Sequence, residues 1–440
     1  MTMNEPITAI SLFASSGIGD LALREAGVDV IVASELVNQR AQLFRTNFPS
    51  CEMIDGDIGL KFDEIVAATK KKLKNRKLDI IFATPPCQGM SKNGRGKLLQ
   101  GNPAGKRTLT DPRNQLSLFV PKMAEIFKPK VIVFENVPEM RTILVESENG
   151  EMVNLLTLLG DLMGNYIWTT KVIEFADFGV PQRRQRLISV FVRKDVAKRI
   201  GATSSDGLLA IAYPEPTHAN KPTDSKKPWV SVLEKLKGLP KIDASSVKTA
   251  RSKVDFHYVP VLDKEKYWWV SNTPLGASAF DNQCVNPKCN SVSNPVHGST
   301  MRRGINRSNS TTPVYCVDCG ELLPRPSVEE GGERRLMKGF TSAYKRMRGD
   351  LPSSALTRNL SYACSDQKIH PTQNRVLSLL EAMRLHTITE FYWRWELTDG
   401  TRASDKLIRD TIGESIPPKG LLVVFSHLMK VFLSPTIAKN

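Results

Sequence analysis

Residues Leu78 to Ser91 read LDIIFATPPCQGMS, and this stretch constrains the fold more than any other. Leu78, Ile80, Ile81 and Phe82 form an apolar run of the length of a buried strand, stopped at Thr84-Pro85-Pro86. Consecutive prolines fix φ and remove two backbone donors, so the chain has to leave a sheet here in a stiff turn. Cys87 follows at the carboxyl end of the strand, the edge where open α/β sheets place their ligands. An isolated cysteine is usually a small buried hydrophobe. The Pro-Pro turn before this one and the glycine-rich, basic loop after it mark it as a candidate nucleophile.

A second apolar, β-branched run, Val131 to Phe134, ends in Glu135-Asn136-Val137-Pro138. A lone carboxylate at a strand end is ordinarily a solvated charge. Beside a cysteine on a neighbouring strand tip, Glu135 becomes a candidate acid for a ring nitrogen. Phe178 to Ile188 reads FGVPQRRQRLI, within a hairpin expected over 171–191. If that segment is extended, Gln182, Arg184 and Arg186 share one face.

PPCQ, ENV and QRRQR, in this order, resemble the motifs of the DNA cytosine-5 methyltransferase family of bacterial restriction–modification type. The resemblance spans residues 7–193 and 344–433. It implies an α/β fold: a Rossmann-like S-adenosylmethionine-dependent sheet with helices on both faces, plus a smaller, irregular target-recognition domain. The expected organisation is a catalytic domain over 1–194, target recognition over 195–345, and a segment 346–440 that returns to complete the catalytic domain. The implied chemistry is methyl transfer to carbon-5 of a cytosine flipped out of a specific double-stranded sequence. Cys87 would add to carbon-6, and Glu135 would hydrogen-bond ring nitrogen 3 and the exocyclic amine. Arg186 would meet the base carbonyl, with Arg184 nearer the nucleophile and phosphate.

Ile7 to Gly27 reads as a strand, a Ser/Gly turn and a helix from about Asp20. Such a turn presents backbone N–H groups to an anionic ligand. Glu35 ends the next strand, where nucleotide-binding folds hold ribose hydroxyls. Asp57, before Ile58, is placed to accept from an adenine amino group. Together these resemble the family's S-adenosylmethionine site, with Phe13, Gly17, Gly19, Glu35, Asp57, Ile58, Pro86, Leu116 and Ser415 as its residues. The chain departs from the family pattern at Asp20, in place of the last glycine of the turn, and at Glu414, in place of an asparagine.

The 440 residues carry a formal net charge of +16, which suits a polyanionic partner, nucleic acid first. From Gln88 to Arg113 the chain is rich in Gly, Lys and Arg, as a lid over DNA would be. Seven cysteines, an odd number, without a signal peptide point to a reducing, cytoplasmic compartment. No apolar run approaches the ~20 residues of a membrane span. A monomer is expected, with a cognate restriction endonuclease as possible partner. Glu139 to Asn165 is expected to be mostly helical, packed through Leu155, Leu156, Leu158, Leu159 and Leu162.

Cys284-x-x-x-x-Cys289 and Cys316-x-x-Cys319 have the spacing of a structural zinc ribbon with four thiolate ligands. The sequence around them is too polar to build a core alone. Between the pairs stand Arg302, Arg303 and Arg307, of the type that reads guanine edges or phosphates. Two other functions fit the motifs less well. Methylation of tRNA is disfavoured by the long middle segment, and a catalytically inactive DNA-binding relative by intact Cys87, Glu135 and Arg186.

Overall fold

The computed structural model describes residues 6–86, 112–147, 149–302, 305–308, 312–337 and 342–434. Cys87, Arg303 and the basic segment 88–111 lie outside the described residues. Seven strands form the main sheet: β1 (Ile7–Leu12), β2 (Val28–Glu35), β3 (Glu52–Asp55), β4 (Ile80–Ala83), β5 (Val131–Asn136), β6 (Tyr166–Glu174) and β7 (Gln185–Arg193). Their order is β3-β2-β1-β4-β5-β7-β6. The first five are parallel, and β7 joins β5 and β6 antiparallel. The chain order diverges between β1 and β4, which opens a crevice at their carboxyl ends.

The sheet is covered on both faces, so its central strands β4 and β5 are apolar up to their carboxyl ends rather than alternating with polar residues. Successive residues go to opposite layers. Ile80, Phe82, Val131 and Val133 join one cluster, whereas Ile81, Ala83, Ile132 and Phe134 join the other. On the second face lie α3 (Ile58–Leu73), α4 (Phe119–Phe127) and α5 (Leu155–Leu162), while α1 (Asp20–Glu25) contributes to the first and α2 (Asn38–Asn47) inserts Ala41 and Phe44 there. Phe134 meets Phe191 edge to face, with centroids 5.6 Å apart, and Trp168 stacks on Phe191 at 5.6 Å.

The end of the chain also packs on the sheet. After α6 (Leu379–Leu385) and α7 (Asp405–Glu414), α8 (Pro418–Leu428) contributes Leu421, Val424, Phe425 and Leu428 to the first cluster. Gly420 lets it approach closely, since a Cβ there would sit 2.2 Å from the Phe175 ring. Ser378 starts α6 with a capping box shared with Glu381.

The segment 139–165 corrects the expectation of a mostly helical stretch. A 3-10 turn over Pro138–Thr142 leads into an antiparallel hairpin of Leu144–Glu146 and Met152–Asn154, and only Leu155–Leu162 is α-helical. The reason is local. Gly150, at φ +79°, supports the tight turn, and Asn154 caps the helix by accepting from Leu156 and Thr157 N–H groups. Leu155, Leu156 and Leu159 are buried, but Leu162 is exposed.

Between β7 and α6 the chain is mostly irregular and builds a separate apolar cluster that joins Trp269, Val270 and Phe280 to Tyr344, Ile369 and Val376. Arg346 ties its parts together, donating to the carbonyls of Thr273, His370, Gln373 and Val270 at 2.7 Å each. Among the described residues no single helix is long and apolar enough to cross a membrane.

Candidate functional site

Three strand ends converge on the turn that precedes Cys87. Thr84 donates its backbone N–H to Leu12 O at 3.1 Å and its hydroxyl to Phe13 O at 2.8 Å. From the other side, Asn136 donates its amide to Pro85 O at 3.0 Å and accepts from Val137 N at 2.8 Å. The Pro-Pro turn is thereby fixed between the ends of β1 and β5. Ala83 pairs with Phe134, so one further step of the register sets Thr84 level with Glu135.

Glu135 is 7% exposed, and its carboxylate meets the Arg186 guanidinium at 2.7 Å. Burial pushes its carboxyl above the ordinary range, and Arg186 and Arg184 only partly oppose that. Gln182, Arg184 and Arg186 are divided in their contacts. Arg186 faces the carboxylate, while Arg184 donates to Leu356 O and Gly413 O, at 2.9 and 3.0 Å, in the returning segment. Gln182 accepts from Leu356 N–H and approaches His386 Nδ1 at 3.1 Å, beside a short parallel pairing with Ser353–Ser354.

On the other side of the crevice, Phe13 (φ +62°) and Ser15 (φ +50°) both hold left-handed backbone, strain of the kind that collects at ligand sites. The buried hydroxyls of Ser15 and Ser16 find no partner among the described residues. Gly17 is required for packing as well as for its φ of +91°, since a Cβ would meet the Phe48 and Phe44 rings at 2.7 and 2.8 Å. At Gly19, which caps α1, a Cβ would make only ordinary contacts.

Glu35 is buried at the end of β2 and accepts from Ser15 N and Val37 N, each at 2.9 Å. Burial is the main cause of its raised pKa. Asp57 is the N-cap of α3, accepting from Gly59 and Leu60, with Ile58 buried behind it. Ile58, Phe13 and Leu116 belong to one apolar cluster, and half-buried Pro86 follows the turn held by Asn136. Ser415, by contrast, sets its hydroxyl 2.9 Å from His386 Nε2.

His386 and Arg40 are the side chains that sequence reasoning missed. His386 is fully buried between Gln182 and Ser415, and burial holds its pKa well below the ordinary value, so it is neutral. Arg40 meets Glu414 at 2.6 Å and reaches Glu35 at 3.9 Å, so the departure at Glu414 comes with its own cation. The only signal in the sequence was the unexpected acid itself.

A C-5 cytosine-specific DNA methylase family model matches residues 7–430. The chain belongs to that family. As a member it is a DNA cytosine-5 methyltransferase, as the motifs implied. It is 32% identical over 437 residues to the Type II methyltransferase M.XorII of Xanthomonas oryzae pv. oryzae, covering 97% of this chain and 85% of that one. It is 29% identical over 426 residues to the Type II methyltransferase M1.HgaI of Avibacterium volantium, covering 94% and 96%. The fold is shared with the S. pombe Dnmt2 methyltransferase, at a TM-score of 0.51 and 13% identity over 97% of this chain and 99% of that one.

In this methyltransferase the four cysteines of the middle segment come together. The sulfurs of Cys284 and Cys319 are 3.7 Å apart, those of Cys289 and Cys316 are 3.8 Å apart, and all four lie within 4.8 Å of one another. The group could hold a metal ion. Asn294 and Asn286 direct amide N–H groups at the sulfurs of Cys316 and Cys319, at 3.6 and 3.9 Å. Arg302 and Arg307 lie on the paired strands Ser299–Arg302 and Ile305–Ser308, between the two cysteine pairs in sequence.

Proposed function

We propose that this methyltransferase modifies carbon-5 of a cytosine flipped out of a specific double-stranded DNA sequence, using S-adenosylmethionine and a covalent adduct with Cys87. The observation that carries this reading is the buried Glu135–Arg186 pair, 2.7 Å apart, level with the Pro85 turn that Asn136 holds and that leads directly to Cys87.

Carbon-5 of cytosine is a weak nucleophile because its electrons are engaged in the aromatic ring. A new bond from the Cys87 thiolate to carbon-6 makes the ring an enamine, with electron density at carbon-5. Ring nitrogen 3 then needs a proton donor, and burial, which pushes the Glu135 carboxyl above its ordinary range against the pull of Arg186 and Arg184, suits Glu135 to that role. Arg186 meets the Glu135 carboxylate and would also meet the base carbonyl. Arg184 ties the hairpin to the returning segment, with its charge felt at Glu135. Once carbon-5 carries the methyl group, loss of its proton and release of the Cys87 thiolate restore the aromatic ring.

S-adenosylmethionine supplies an electrophilic methyl group. Phe13, Ile58 and Leu116 would cover its adenine from one apolar cluster, and Glu35 would hold its ribose. Asp57, Gly17, Gly19, Pro86 and Ser415 would complete the site. The unpartnered hydroxyls of Ser15 and Ser16 are consistent with a polar ligand in this turn.

The designation of M.XorII and M1.HgaI as Type II methyltransferases supports a role as the modification enzyme of a restriction–modification system. The reading extends to a cytoplasmic monomer that shares its target with an endonuclease. The cysteine cluster is read as a structural zinc site. A zinc–sulfur bond near 2.3 Å gives a tetrahedral edge of about 3.8 Å, which matches the sulfur separations of 3.7 and 3.8 Å.

Cys87→Ala tests the mechanism. Methylation of a duplex substrate should fall to background while duplex binding persists. Undiminished methylation would overturn the assignment.

A further inference from the structure

Arg325 is fully buried in the loops that hold the cysteine cluster: Leu323, two residues before it, packs with Cys284 and Cys316, and its guanidinium bonds the carbonyl of Pro295, the neighbour of the Asn294 that meets the Cys316 sulfur. Its guanidinium donates to neutral carbonyls only: Nε to Asn282 O at 2.7 Å, and Nη1 to Pro295 O and Pro313 O at 2.9 Å each. Its Nη2 finds no hydrogen-bond partner among the described residues. The acidic groups that act on it electrostatically are Asp281 and Cys316, and Asp281 already accepts from His297 N–H at 2.7 Å. A buried cation without a bonded anion is costly, and neutral carbonyls offset only part of that cost.

The cluster has the opposite difficulty. Four thiolates around a divalent ion leave a net charge of about −2 in a site where Cys284 and Cys316 are buried. The amides of Asn294 and Asn286 soften that charge without cancelling it. The cation and the anionic centre are held by the same loops, and each supplies what the other lacks.

We propose that Arg325 is the built-in counter-cation of a tetrathiolate zinc centre formed by Cys284, Cys289, Cys316 and Cys319. This rests on the zinc reading above. The guanidinium and the metal centre then form one electrostatic unit. Its fork also bridges the carbonyls of 282, 295 and 313, so the chain on either side of the hairpin 299–308 is gathered onto the metal.

The test measures zinc in the purified full-length protein, then its affinity by competition with a chromogenic chelator, for wild type, Arg325→Met and Arg325→Lys. Wild type should hold about one zinc per chain and show thiolate-to-metal absorption when cobalt replaces it. Arg325→Met, which keeps the length and removes the charge, should bind zinc 10- to 100-fold more weakly, the usual scale for an outer-shell partner. Arg325→Lys, which keeps the charge and loses the fork, should stay near the wild-type affinity.

Equal weakening of the Met and Lys variants would mean that Arg325 only bridges carbonyls, and wild-type affinity in the Met variant would mean that it does neither. Either result overturns the counter-cation while leaving the zinc reading intact. Wild-type protein without zinc or cobalt absorption would overturn the zinc reading itself. If Arg325→Met does not fold, Asn294→Asp reads the same balance by adding a negative charge at the Cys316 sulfur. Weaker zinc binding is expected, and unchanged binding would overturn the proposal.

Discussion

Phe44, Phe82, Phe134, Phe175 and Phe191 are among the largest fully buried side chains around the sheet, whereas those between β7 and α6 are Phe280 and the cationic Arg325, Lys368 and Arg375. The two regions therefore cohere by different means. Around the sheet, apolar rings interdigitate on both faces and the backbone satisfies itself through the strands. In the middle region regular structure is scarce, and cationic side chains take up backbone carbonyls that no strand or helix would satisfy. Arg375 is paired with Glu381 at 2.6 and 2.7 Å, whereas Arg346 donates to four carbonyls. Directional bonds can hold irregular loops in one arrangement, but each bridge becomes a single point of failure.

The largest effect should come from Arg346→Met. Removing that fork leaves the buried carbonyls of Thr273 and His370 without their donor, while those of Val270 and Gln373 keep the backbone N–H groups of Thr273 and Arg375, at a cost on the order of 3–5 kcal/mol. Urea denaturation of the whole chain should show an early transition for the middle region, with cofactor binding retained past it. A loss below about 1 kcal/mol would break the contrast between the two regions.

Asp20 is the converse case, a carboxyl inside the sheet region. Burial raises its pKa from 3.8 to about 7. The folded state therefore holds the proton more tightly than the unfolded chain, and stability falls as pH rises from about 4 towards 7. Over that window the loss is roughly 4 kcal/mol. Asp20→Asn should be more stable than wild type at pH 8 and equal to it near pH 4, as read by thermal unfolding. A difference independent of pH would show that Asp20 is not the titrating group.

The smallest effect is expected at Arg40 and Glu414, a partly buried pair between α2 and α7. A double-mutant cycle should give a coupling of about 0.5–1 kcal/mol that weakens with salt. A coupling that salt does not change would place this pair among the buried bridges of the middle region instead.

The sheet region was the more legible in the sequence, for a physical reason. Leu78 to Phe82 and Val131 to Phe134 are largely apolar runs cut short by Pro or Glu, and runs of that length between turn signals read as buried strands. The cysteine pairs were legible because thiolate spacing leaves little freedom. What could not be read was pairing at a distance. His386 between Gln182 and Ser415, Arg40 against Glu414, and Arg325 in the loops that hold the thiols each depend on how loops far apart in the chain come together. The stretch 139–165 misled because its leucines suit a helix, while Gly150 and the cap at Asn154 divide it into a hairpin and a short helix.

The most direct test is to express the protein in a host that lacks cytosine methylation and to map 5-methylcytosine across its genome at base resolution. Methylation at one short sequence, lost with Cys87→Ala, is the predicted result. An unmethylated genome in cells that hold folded, S-adenosylmethionine-binding protein would contradict the account.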